Sequence, residues 1–462
     1  MLVRGGTVVT EGGERRADVR AAGGRIEAVQ PDLEPDVGEE IVDASGLYVL
    51  PGLVDPHTHF ALDAGDGPTA DDFTTGSAAA AAGGVTTYIN FATQRPGQGF
   101  LDALADAQGR AEGRSHVDFS FHLNITRLDE GWEGELEKVV EAGVSSAKVY
   151  TTYRGTVFYV DDWTIYRLMQ RSGSAGLLVQ MHAENDDMVE GRRAELVRAG
   201  LTGLAHHGDS RPAVAESEAV QRGLFLSRVT ESPIYLVHLS SPLSVDLVAE
   251  ARERGAAAVA ETCPHYLVLD EGLYRGEGVR RYLMTPPLRS AEMREALWER
   301  VAAGMVHTLG SDHCGYSLEQ RGDADDLTRV TPGIPGVETT LPLVHTYGVR
   351  RGRIDLPAMV RLVATNPARV FGLWPRKGAV EPGSDADLVL FDPRHGARLR
   401  AADLHGAAGF SPYEGLELEG RVVATICRGE VVYDGDRVRG EATWGRFLER
   451  LPFDRGALAH LG

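Results

Sequence analysis

The chain has 462 residues, 43% hydrophobic and 25% charged, the proportions of an ordinary globular protein with ample core. Its 47 basic and 67 acidic residues give a formal charge of −20, which repels phosphate backbones and anionic lipid and speaks against nucleic-acid or membrane partners. The three cysteines, Cys263, Cys314 and Cys427, are too scattered for a disulfide framework or a C-x-x-C zinc site. Met1-Leu2-Val3-Arg4-Gly5-Gly6 lacks a signal-peptide core, and no window holds the ~18 apolar residues of a membrane span, so a cytoplasmic location is expected.

Residues 1–50 read as short strands between glycines, Leu2–Thr10, Ala17–Ala22, Arg25–Val29 and Gly46–Val49, forming part of a small β-sandwich. From residue 51 to 372 the texture changes to apolar runs alternating with helical stretches. The eight runs are Leu53–His59, Val85–Phe91, Val117–Ile125, Ser145–Tyr150, Leu177–Ala183, Ile234–Ser240, Ala257–Pro264 and Val306–Asp312. Continuous apolar strands are buried on both faces, and with helices such as Asp72–Ala82, Leu101–Glu112, Leu136–Glu141, Trp163–Arg171, Ser244–Arg254 and Ala291–Ala303 between them they predict an α/β fold, a (β/α)8 barrel. Asp71 and Ser290 are the expected N-caps for two of these helices. Strands return in Ala386–Phe391, Arg421–Cys427 and Glu430–Tyr433, so residues 373–440 complete the sandwich. The tail, 441–462, carries Phe447, Leu448, Leu451 and Phe453 among charges, belongs to no obvious core, and is a candidate for a subunit interface.

The first barrel strand ends in His57-Thr58-His59. Side chains alternate along a strand, so the two imidazoles leave one face together and can reach a common point. The other strands add Lys148, His182, His238 and Asp312, and in this architecture the C-terminal strand ends carry the active site. Lone histidines are usually packing residues, but this convergence points to a metal centre. Lys148 has no lone pair as an ammonium; its carbamate, N6-carboxylysine formed with carbon dioxide, has two oxygens that can bridge cations about 3.5–4 Å apart. A buried lysine paired with an acid is the alternative. The carbamate, Asp312 and a hydroxide together carry about −3 against +4 for two divalent ions, a balance that lowers the pKa of water towards ~7. Histidine and oxygen ligands favour zinc, with manganese, cobalt or iron as alternatives.

Pro51-Gly52-Leu53-Val54-Asp55-Pro56-His57-Thr58-His59, Ser146-Ala147-Lys148-Val149-Tyr150, His182-Ala183-Glu184-Asn185, Val237-His238-Leu239-Ser240-Ser241, Glu261-Thr262-Cys263-Pro264-His265-Tyr266, Pro286-Pro287-Leu288-Arg289 and Gly310-Ser311-Asp312-His313-Cys314 follow in one order. In that order they resemble the cyclic amidohydrolases, in particular the hydantoinase and dihydropyrimidinase branch, over nearly the whole chain. The resemblance implies that His57, His59 and Asp312 hold the more buried ion, that His182 and His238 hold the other, and that Lys148 bridges them. Asp312 is then the general base and acid, Tyr153 the oxyanion donor with Tyr150 as the second candidate, and the backbone at Thr285 and Pro332 meets the substrate ring. Pro332 departs from the asparagine usual there and has no N–H to give. His265 is a further candidate for substrate binding; it departs from the usual glutamine towards the allantoinase pattern, and Ala61 stands where a dihydroorotase carries arginine. Phe60, Phe73, Phe158 and Tyr159 are candidates to line a pocket for an apolar substituent. The function implied is opening of a hydantoin or dihydropyrimidine to the N-carbamoyl amino acid by a bridging hydroxide, in a homodimer or homotetramer. An allantoinase-like or dihydroorotase-like hydrolase and a non-catalytic dihydropyrimidinase-related scaffold are the other readings.

Overall fold

A computed structural model of the chain describes residues 1–63 and 67–461. Eight parallel strands form one sheet: β1 Leu53–Asp55, β2 Val85–Thr93, β3 Asp118–Asn124, β4 Ser146–Tyr150, β5 Leu178–His182, β6 Ile234–Leu236, β7 Ala258–Thr262 and β8 Thr308–Leu309. They are hydrogen-bonded in sequence order, and a parallel bridge between Thr58 and His313 joins the two ends into a barrel. Every residue of β3, β4, β5 and β7 is buried, which is why these runs do not alternate.

Helices cover the barrel and begin where capping side chains satisfy free N–H groups. Helix Phe73–Ala82 is capped by Asp72, which accepts from the backbone of Thr74 and Thr75, with Thr75 completing a capping box. The expected cap, Asp71, is one residue off: it is buried instead, 2.9 Å from His313 Nε2 and accepting from the Ala407 N–H at 2.7 Å. Ser290 caps Ala291–Ala302 as expected. Helices Asp186–Arg198 and Ala213–Thr230, between β5 and β6, had no apolar stripe to announce them; the first buries only Asp186, Val189 and Leu196.

The sandwich has a four-stranded sheet from the N-terminal segment and a six-stranded sheet combining N- and C-terminal strands, where Tyr48–Pro51 pairs with Leu388–Asp392. The run expected as one strand, Leu2–Thr10, is two, Leu2–Arg4 and Thr7–Thr10, one in each sheet. The switch falls at Gly5-Gly6: Gly5 has φ 79°, and a Cβ on Gly6 would meet Val49 Cγ2 at 2.5 Å. Val3, Val8, Val19, Ile26, Val49, Leu388, Leu390 and Ile426 fill the space between the sheets.

The tail does have a core, that of its own chain. It runs under the N-terminal ends of the barrel strands: Phe119 donates to the Arg446 carbonyl at 3.0 Å, Leu448 to Phe119 at 2.7 Å, Arg450 to Gly143 at 2.8 Å and Phe453 to Gly176 at 2.8 Å. Leu448, Leu458 and Leu461 are buried, Phe447 packs on Phe119 and Phe121, and Gly462 lies outside the described residues. Leu448→Ala should cost about 2–5 kcal/mol, the usual range for emptying a buried leucine site, read as a lower urea midpoint with unchanged metal content.

Candidate metal centre

The backbone brings six predicted side chains to the C-terminal mouth of the barrel. Lys148 is inside β4 and His182 is the last residue of β5, while His57, His59, His238 and Asp312 follow the ends of β1, β6 and β8. His57 Nε2 lies 2.8 Å from Lys148 Nζ and 3.2 Å from Asp312 Oδ1, and His59 Nε2 lies 3.2 Å from the same oxygen. His182 Nδ1 and His238 Nε2 are 3.0 Å apart. Ligand atoms of His57, His238 and Asp312 all fall within 4.8 Å of one another.

Two buried glutamates set which ring nitrogens face inward. Glu261 Oε1 accepts from His57 Nδ1 at 2.7 Å and from the His238 backbone N–H at 2.8 Å, while Tyr235 donates to its other oxygen at 2.7 Å. Glu184 Oε2 accepts from His182 Nε2 at 2.8 Å. Each bond places the proton on the outer nitrogen and leaves the inner lone pair free, the carboxylate and histidine pairing common behind metal ligands. Glu184 and Glu261 stand in the sequence motifs without a role legible there; the one signal is an acid in or just beyond an otherwise apolar barrel strand, where an unpaired charge is costly.

The donor set fits divalent ions. Burial lowers the His59 pKa to about 4 and takes His182 and His238 below the ordinary range, so the rings are neutral, as ligation requires. The Nδ1 atoms of His59 and His238 are buried without a hydrogen-bond partner among the described residues. Burial opposes ionisation of Asp312, but His57, His59 and His238 outweigh it and hold the carboxyl well below the usual range. Burial also brings Lys148, 1% exposed, down to about 8 against the pull of Asp312 and Glu261, so a neutral, nucleophilic amine is accessible near neutral pH.

A cleft of about 350 Å³ opens over these residues. Tyr153, Thr285 and Pro332 line it, with the Tyr153 hydroxyl in a short hydrogen bond to Thr285 Oγ1. His265 does not: it is 1% exposed, sits edge-on to Tyr266 at 4.2 Å, and has neither ring nitrogen bonded among the described residues. It belongs to helix Pro264–Val268, just past the end of β7. Of the four aromatic candidates only Phe158 lines the cleft. Phe60 packs on Tyr88 and His313, Phe73 on Phe121, and Tyr159 lies under the Arg154 guanidinium at 5.2 Å.

The amidohydrolase family model matches residues 48–432, the barrel together with the sandwich strands that follow it. The chain belongs to the amidohydrolase family. It is 38% identical to the D-phenylhydantoinase of Escherichia coli over 457 residues, 98% of each chain. The crystal structure of dihydropyrimidinase from Brevibacillus agri superposes with a TM-score of 0.95 at 35% identity, covering 98% of this chain and 99% of that one. L-hydantoinase (dihydropyrimidinase) from Arthrobacter aurescens gives 0.90 at 31% identity, covering 97% and 99%. This amidohydrolase thus falls in the hydantoinase and dihydropyrimidinase branch.

Three residues that line the cleft are held in the left-handed backbone region that side chains avoid: Tyr153 at φ 72°, His238 at φ 40° and Asp312 at φ 48°. Such conformations cost about 1–3 kcal/mol each and persist only where the surroundings enforce them. Asp55 is part of that enforcement, accepting from the backbone N–H of both His57 and Ser311 at 3.1 Å.

Proposed function

We propose that this amidohydrolase opens a cyclic amide, a hydantoin or dihydropyrimidine ring, to the N-carbamoyl amino acid. The observation that carries the reading is the convergence of His57, His59, Lys148, His182, His238 and Asp312 beneath a cleft lined by Tyr153 and Thr285, in a chain 38% identical to a D-phenylhydantoinase along its length. Two divalent ions, zinc by preference, would be held by His57, His59 and Asp312 and by His182 and His238, with Lys148 as a ligand common to both. Bound there, the ions would acidify water and polarise the amide carbonyl.

Lys148 enters as a carbamate: its neutral Nζ adds to the carbon of carbon dioxide and loses a proton, giving an anion with two donor oxygens. Asp312, ionised and beside both first-strand histidines, accepts the proton of the attacking water and returns it to the leaving ring nitrogen. The Tyr153 phenol, pushed up to about 12 by burial, keeps its proton and donates it in a hydrogen bond to the carbonyl oxygen as that oxygen becomes negative. The Thr285 backbone meets the ring's imide edge, and Pro332, without an N–H, contributes only its carbonyl. The reading is completed by a cytoplasmic homodimer or homotetramer, the closed symmetric form usual for soluble assemblies.

Hydantoin, dihydrouracil, allantoin and dihydroorotate offered side by side test the ring assignment. Hydantoin or dihydrouracil is expected to yield its N-carbamoyl product, and a protein loaded with metal that opens none of the four would end the small-ring reading. Tyr153→Phe should lower kcat about 100- to 1000-fold, the usual loss for one oxyanion donor, with metal content unchanged by elemental analysis.

A further inference from the structure

A buried cation lies beside Tyr153. Arg211 follows the short helix His207–Ser210, its side chain is 8% exposed, and it lines the same cleft. Its guanidinium centre lies 5.3 Å from the centroid of the Tyr153 ring. One of its nitrogens is 3.4 Å from Glu184 Oε2, the oxygen that also accepts from His182. Its Nε has no hydrogen-bond partner among the described residues.

The backbone behind this arginine is pinned. Arg289 Nη1 donates to the Arg211 carbonyl at 2.5 Å, Arg289 Nε donates to Ser240 Oγ at 2.9 Å, and Glu216 accepts from the Ser241 backbone at 3.0 Å. The Arg211 backbone is therefore tied through Arg289 to the loop that carries His238. Tyr153 itself sits in an unfavourable backbone conformation, so its ring needs external support. That support comes from three sides: Thr285 at the hydroxyl, His182 at 5.3 Å between ring centroids, and Arg211 against the ring.

We propose that Arg211 is a positioning residue for ring opening, one that holds the Tyr153 hydroxyl on the oxyanion while Glu184 ties it to the His182 side of the centre. This rests on the reading of Tyr153 as oxyanion donor. A planar guanidinium can lie against a phenol ring and pair with a carboxylate at once; an ammonium presents a compact charge without the plane. A fixed positive charge beside the phenol also favours negative charge on the oxygen to which the phenol donates.

A double-mutant cycle of Arg211→Gln and Tyr153→Phe tests this, with kcat, KM and metal content read for each protein. Arg211→Gln is expected to keep its metal, change KM less than about 3-fold and lower kcat about 30- to 100-fold, a large part of what a lost oxyanion donor costs. Because the effect passes through the phenol, Arg211→Gln should add less than about 3-fold in the Tyr153→Phe background. Arg211→Lys, which keeps the charge and the Glu184 pair, should lose at least about 10-fold in kcat and supplies the second cycle should the glutamine variant fail to fold. Costs that multiply in full across the cycle, an unchanged kcat in the single variant, or a loss reversed by added metal would each overturn the proposal. An inert wild type would remove the ring-opening reading and this one together; an active wild type with multiplying costs removes this one alone.

Discussion

Lys148→Ala protein should be purified folded but nearly metal-free, with kcat/KM reduced about 1000-fold or more, since bound ions supply several kcal/mol of transition-state stabilisation and each 1.36 kcal/mol is tenfold in rate. Without the carbamate, the centre presents four imidazoles, neutral when they ligate, and the single carboxylate of Asp312 to two divalent cations. One negative charge cannot hold four positive charges at close range in a buried site, where their mutual repulsion is weakly screened. The fold should survive because Lys148 lies within β4, flanked by β3 and β5, and its Nζ meets rings rather than bracing another element: Phe91 at 4.7 Å, Tyr150 at 5.0 Å and His57 at 2.8 Å. A small added carboxylate such as formate or propionate can occupy the space left by the side chain and return the missing charge, so partial recovery of both metal and activity is expected. Elemental analysis before and after that addition decides the matter. Two ions retained by Lys148→Ala would show that the amine bridges nothing.

The barrel and most of the centre were legible in the sequence because their signals are local. Runs such as Asp118–Asn124 and Leu178–His182 are apolar throughout since both faces are covered, and the candidate ligands lie at or near the ends of such runs. The sandwich was legible in outline, but the passage of one run between two sheets depended on how closely Val49 approaches Gly6, a tertiary fact. The tail was unreadable for a similar reason: Leu448, Leu458 and Leu461 join one core cluster with barrel residues such as Ile89, Leu178 and Val259 while Leu451 is exposed, so burial follows no period along the segment. His265 looked like a site residue because it stands in a motif, yet membership of a motif does not say which way a side chain turns once the next helix starts at Pro264. Glu184, Glu261 and Arg211 act through other side chains, and such partnerships become visible only when β5, β7 and the helix after His206 are brought together. The positive φ angles of Tyr153, His238 and Asp312 left no trace in residue type, since none of the three is glycine.

The aspartates in Gly383-Ser384-Asp385-Ala386-Asp387 have a purpose that supports the other large prediction: Lys377→Met should destabilise the protein by about 3–5 kcal/mol, the cost of breaking a buried ion pair by removing one partner. Lys377 is fully buried, with its Nζ 2.7 Å from Asp118, 2.7 Å from Asp387 and 3.1 Å from Asp385. Asp118 begins β3 at the N-terminal end of the barrel, whereas Asp385 and Asp387 lead into the sandwich strand Leu388–Asp392, so one ammonium fastens the two parts. Arg428 adds a second clasp, its side chain donating to Asp118 at 3.0 Å and its backbone N–H to Asp387 at 2.8 Å. Burial works against the Lys377 charge, but Asp387 and Asp118 outweigh it and raise its pKa, so the ammonium persists over the working pH range. Methionine fills much of the same volume while leaving three carboxylates to share the remaining arginines, and the expected readout is a lower urea midpoint. Lys377→Met combined with Asp387→Asn should recover part of the loss because the excess charge is removed along with its partner. Metal content and kcat of the folded fraction should stay near wild type, because the cluster sits at the end of the barrel opposite the histidines. An unchanged midpoint in Lys377→Met would mean that the carboxylates take up protons at little cost and that apolar packing alone holds sandwich to barrel.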